Sequence, residues 1–106
     1  MKLTDLDPKF LTIISEKSWQ QTDSIVGADG ISFLCPKCFV ENEGPKGTHI
    51  VICWSPEVSQ TIGPVPGRWR MEGSGFRDLT LVARSSSILL LSGCKAHFFI
   101  RNGEIV

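Results

Sequence analysis

The chain has 106 residues, 42% of them hydrophobic and 21% charged, with ten glycines and six prolines, a size and composition that suit one domain with one core. Eleven Lys and Arg balance eleven Asp and Glu, so the positive excess that drives sequence-independent nucleic-acid binding is missing. The longest apolar runs, residues 88–91 and 98–100, fall far short of the roughly 20 residues that cross a bilayer.

The start, Met1-Lys2-Leu3-Thr4-Asp5-Leu6-Asp7-Pro8, carries two acids and a proline where a secretory signal has an apolar core, which predicts a cytoplasmic protein. Asp7-Pro8 would suit a helix start, but residues 10–15 (Phe-Leu-Thr-Ile-Ile-Ser) also read as a strand, and a strand is the expectation taken here. Gly30–Leu34 is a strand leading into Cys35-Pro36-Lys37-Cys38. After it, two glycines around Pro45 argue against a helix. Residues 48–54 are β-branched and aromatic and stop before Ser55-Pro56, the pattern of a buried strand. Residues 57–66 form a long excursion, with Gly63-Pro64-Val65-Pro66-Gly67 a loop by composition. Arg68-Trp69-Arg70-Met71 alternates as a half-buried strand does, residues 79–82 and 88–91 add two more strands, and Ser85-Ser86-Ser87 is a strand entry. At the end, residues 97–101 and 104–106 flank Asn102-Gly103, whose tolerance of positive φ predicts a terminal hairpin on a type I′ turn. The expected fold class is all-β, mostly antiparallel short strands and hairpins with little or no helix, a single domain over residues 1–106 built on a structural zinc site.

The zinc expectation comes from two short spacings. Cys35-x-x-Cys38 lets one turn aim two thiolates at a point, and Cys94-Lys95-Ala96-His97 supplies a sulfur and a ring nitrogen. Together Cys35, Cys38, Cys94 and His97 make a Cys₃His set that fills a tetrahedral zinc. Residues 39–93 separate the half-sites, but closure cost grows only logarithmically with loop length, so the metal would join distant parts of the fold and couple to folding. Cys53 lies within the apolar strand and reads as a small buried hydrophobe, held in reserve as a ligand should His97 point elsewhere. His49 opens the same strand and reads as a surface or edge histidine. Disulfides are disfavoured in a reducing compartment, and a thioredoxin-like redox motif needs a helix starting at the first cysteine. A zinc deaminase needs an H-x-E that neither His49 nor His97 provides, and a Rieske centre needs two histidine ligands.

From residue 68 onward six basic residues face three acidic ones, and alternation would set Arg68 and Arg70 side by side near Arg77. These three arginines are the candidate partner-binding residues. Trp19, Trp54 and Trp69 are expected in the core, and no histidine is tied by a motif to the serine run, so no catalytic residue is assigned.

With Gly30 to Phe39, Gly47 to Trp54, Gly67-Arg68-Trp69, Asp78 to Leu81 and Gly93-Cys94-Lys95-Ala96-His97-Phe98-Phe99-Ile100 assembled, the chain resembles a family of small uncharacterised proteins of bacteriophages and prophages over about residues 30–105. The most specific part is Gly-Cys, two residues, an aromatic-flanked His and an Asn-Gly turn. The resemblance implies a phage or prophage setting inside a bacterial host cell and a metal-binding role for Cys35, Cys38, Cys94 and His97, with no activity attached. The expectation is a zinc-stabilised module that binds a host or phage protein without catalysis. The alternatives are a small zinc metalloenzyme with an open metal position and a nucleic-acid-binding zinc domain.

Overall fold

The structure is a computed structural model that describes residues 1–65, 67–84, 86–90 and 93–106. Pro66 of the expected loop, Ser85 of the serine run and Leu91 at the end of an expected strand lie outside the described residues. The fold is mostly antiparallel strands with one short helix. A four-stranded antiparallel sheet runs β2-β1-β3-β4, formed by β1 (Lys9–Ser15), β2 (Ser18–Thr22), β3 (Gly30–Leu34) and β4 (Ile50–Trp54). The strand expected at 10–15 is β1. Its partner β2, Ser-Trp-Gln-Gln-Thr, is exposed and polar enough to carry no strand signal of its own.

Alternation divides the sheet between two cores. Ile31, Phe33, Val51 and Cys53 point to one face, where Leu3, Leu6, Leu79, Leu81, Ile88, Phe98 and Ile100 cover them. Leu11 and Trp54 point to the other, with Ile13 and Ile52 beside them, and Val58 and Ile62 of the long excursion close over that face. Trp54 is buried and Trp19 rests edge-on against it at 5.3 Å, while Trp69 and Met71 pack on the first core.

The covering layer consists of short pairs: β5 (Arg70–Glu72) with β6 (Thr80–Val82), β7 (Ile88–Leu89) with β8 (His97–Phe98), and β9 (Ile100–Arg101) with β10 (Glu104–Ile105). The run expected as one strand at 97–101 therefore divides at Phe99, giving its first half to β7 and its second to the terminal hairpin. Asn102 and Gly103 have φ of 49° and 75°, as a type I′ turn requires. Gly103 is buried there, where a methyl group would run into the Arg77 carbonyl oxygen. The chain start joins the same hairpin through Leu3 N–H to Gly103 O (2.8 Å) and Ile105 N–H to Met1 O (2.8 Å).

Candidate metal centre

Three pieces of chain converge at one end of the β3–β4 pair. Cys35 follows β3 directly and is the N-cap of α1 (Pro36–Glu41), with Pro36 at a position where its missing N–H costs nothing. The expectation of no helix after Cys38 is corrected here. Six residues form one before Glu43 (φ 56°) and Gly44 (φ 149°) end it, because the first glycine comes only after its last turn. Cys38 lies one turn into α1, which brings its sulfur back beside that of Cys35.

His49 enters through the sheet register. Cys35 N–H donates to His49 O at 2.9 Å, extending the ladder one step past Leu34 and Ile50, so the two residues sit opposite each other. Cys94 arrives from the covering layer on a tight turn between Gly93 (φ 67°) and Lys95 (φ 55°), and the Lys37 ammonium donates to the Cys94 carbonyl oxygen at 2.7 Å.

The four donor atoms of Cys35, Cys38, His49 and Cys94 all lie within 4.8 Å of one another, and this cluster can hold a metal ion. Cys35 Sγ and Cys94 Sγ are 3.6 Å apart and His49 Nε2 is 3.4 Å from Cys94 Sγ. A disulfide would need about 2.05 Å, and all four cysteines are free thiols. The hydrogen bond from His49 holds the Cys94 thiol down at about 7. Desolvation, followed by hydrogen bonds with Cys94 and Cys35, pushes Cys38 up to about 12. Thiols ligate a metal as thiolates, so binding an ion here would release protons from the cysteines.

Of the four residues expected to hold zinc from their spacing, the structure brings Cys35, Cys38 and Cys94 together and leaves His97 out. Ala96 and Phe98 are buried, so alternation turns the His97 side chain to the opposite, exposed face, where it lies 6.0 Å from the Phe99 ring. His49, exposed as the sequence reading expects, nevertheless stands in the fourth place, where that reading put no ligand. Cys53, the reserve ligand, stays in the core, where burial raises its thiol pKa.

Two of the three candidate binding arginines have partners within the chain. Arg68 precedes β5 and folds back into the 57–67 segment, donating to the carbonyls of Val58 (3.0 Å), Ser59 (2.7 Å), Ile62 (2.8 Å), Pro64 (2.9 Å) and Gly67 (2.8 Å). Arg70 is paired with Glu72 at 2.8 Å, and Arg77 is exposed. The strand read at Arg68-Trp69-Arg70-Met71 begins only at Arg70, and the Arg68 guanidinium is taken up by a carbonyl-lined loop.

A cleft of about 770 Å³ opens beside the centre and touches Cys38, His49 and Cys94. Among the described residues, no helix is long and apolar enough to cross a membrane. No family model, curated protein or solved structure matches the chain.

Proposed function

We propose that this chain is a zinc-stabilised β domain that acts by binding a protein partner and carries no catalytic metal. The observation that supports it is the Cys35, Cys38, His49 and Cys94 cluster. Around a tetrahedral zinc, neighbouring sulfurs stand about 3.8 Å apart and sulfur and nitrogen about 3.6 Å. The 3.6 Å and 3.4 Å separations here approach those edges. Soft thiolates with one imidazole favour zinc over hard cations, and four protein donors leave no position for a reactive water. Three thiolates also spread negative charge onto the ion and weaken it as a Lewis acid. The described residues lining the adjoining cleft include no Asp or Glu to serve as acid or base.

The metalloenzyme alternative draws on the exposure of His49, which would have to yield its place to water. The nucleic-acid alternative loses support, since Arg68 is spent on carbonyls and Arg70 on Glu72. A phage or prophage setting in a host cytoplasm remains part of the proposal. It rests on the Gly93-Cys94 to Gly103 pattern and on the preference of thiolate zinc sites for reducing compartments.

The test is metal analysis joined to unfolding. Purified protein should hold about one zinc per chain, and chelation should unfold it. Folded protein with free thiols and no metal would overturn the zinc centre. Turnover of a substrate that chelation abolishes without unfolding would overturn the binding reading.

A further inference from the structure

The cleft beside the metal centre has an unusual wall. It touches the consecutive residues His49 to Cys53, both those whose side chains enter the first core and those that face the second. A space that meets consecutive residues of a strand lies along its edge and not over one face. β4 is an edge strand of the four-stranded sheet.

The ladder shows which groups that edge presents. His49 O accepts from Cys35 N–H, and Ser55 N–H donates to Asp29 O at 2.7 Å, so the odd-numbered residues of β4 spend their main-chain groups on β3. The even-numbered ones direct theirs outward, as Trp54 O does in accepting from Trp69 N–H at 2.9 Å. Ile50 and Ile52 therefore aim an N–H and a C=O each toward the cleft, and none of the described backbone pairs with them.

The surroundings are apolar and open. Ile50 (63% exposed), Val65 (55%) and Leu89 (52%) all border this cleft, with Trp69 and Leu90 beside them. No Asp, Glu, Lys or Arg is among the described lining residues. The indole N–H of Trp69 is buried and has no acceptor among the described residues.

The geometry points to β4 as a docking edge for an extended, uncharged peptide segment of a protein partner. This rests on the binding reading above and gives it a surface. A strand is the ligand form that meets two outward N–H and two outward C=O groups at alternate residues. Its apolar side chains would cover Ile50, Val65 and Leu89, and a neutral segment matches a lining without charged carboxylates, ammonium or guanidinium groups. A charged segment would lose its hydration there without gaining a counter-ion.

The probe is a fluorescein-labelled peptide of alternating valine and threonine, titrated into the zinc-loaded protein and followed by anisotropy, with amide exchange read by NMR. Saturable binding is expected, with Ile50 and Ile52 amides gaining protection while Val51 and Cys53, already paired to β3, stay unchanged. Placing N-methyl groups along both edges of the peptide, or aspartate in place of threonine, should weaken binding about tenfold or more. So should Ile50→Glu or Leu89→Glu, both at exposed positions that leave the fold intact, as unchanged zinc content and thermal midpoint would verify. Binding that survives N-methylation or both variants, absence of binding, or protection gained elsewhere overturns the proposal. A protein partner that binds equally well to Ile50→Glu and Leu89→Glu would overturn this edge and leave the binding-module reading standing, whereas zinc-dependent turnover would remove that reading itself.

Discussion

Replacing Arg68 by Met would separate a structural arginine from a recognition arginine. The substitution keeps much of the aliphatic stem and deletes the guanidinium with its hydrogen bonds to five carbonyl oxygens. The acceptors on Ser59 and Pro64 belong to exposed bonds and can turn to water, so they contribute little to the loss. Those on Val58, Ile62 and Gly67 are part-buried, and leaving each without its donor costs about 1 kcal/mol. The expected loss is about 3 kcal/mol, which for a domain of this size lowers the thermal midpoint by about 12–20 °C. Arg68→Lys should recover only part of it, since one ammonium cannot span the fork that a guanidinium presents. Thermal and urea unfolding of the zinc-loaded proteins gives the answer. If Arg68→Met melts within about 2 °C of the parent, the carbonyl network is not what holds residues 58–64 in place.

Other perturbations test the centre and the turns around it. His49→Ala should release zinc and destabilise the fold while His97→Ala retains both, and Cys53→Ser should keep the metal at a packing cost of about 1–3 kcal/mol; metal content of the three variants decides, and zinc lost from His97→Ala alone would restore the ligand set read from spacing. Gly103→Ala should cost about 2–4 kcal/mol, through its left-handed φ and the collision with the Arg77 carbonyl, and a neutral result in urea unfolding would refute the buried-turn account. Asp78 accepts hydrogen bonds from the Ser74 N–H and hydroxyl and from the Gly75 N–H, which hold its carboxyl below the usual value of 3.8. A depressed folded value means that Asp78 adds stability above the unfolded pKa and loses it as pH falls through the folded one. Asp78→Asn should therefore show a shallower acid limb than the parent; parallel limbs would show that the Ser74 turn does not depend on the charge.

Some of this molecule could be read from residue types and some could not. The strands around Gly30–Leu34 and residues 48–54 declare themselves by β-branched and aromatic content, and Asn102-Gly103 names its own turn, because these signals are local. Two of the four clustered residues, Cys35 and Cys38, sit in a short spacing for the same reason, while Cys94 is found through a spacing to His97 that the structure does not use. The fourth has none: His49 becomes a neighbour of Cys35 only through the β3–β4 register, a pairing across 14 positions that no local window contains. A signal for it existed, since a strand that starts just after His49 and pairs back onto the strand ending at Cys35 would place the two together. His97 had the better spacing and lost to alternation, because Ala96 and Phe98 needed the core. Arg68 illustrates another limit: a strand pattern says which way a side chain leaves the backbone, not that a loop of carbonyls waits at its end.

The opposition of Cys35 and His49 bears on how this sheet finds its alignment. β4 reads Ile-Val-Ile-Cys-Trp, apolar on both faces, so sliding it one residue along β3 would trade isoleucine for valine at small loss over Ile50–Ile52, and only the swap of Trp54 for Cys53 at the other end would cost much. Hydrophobic patterning therefore guards the Trp54 end of the pairing and leaves the Ile50 end weakly guarded. A slip would carry the imidazole to the far face of the sheet, away from the three sulfurs. Occupancy of the centre would thus act as a proofreading step, favouring the one alignment in which the ring and the thiols meet and withholding the metal's binding energy from the shifted sheets.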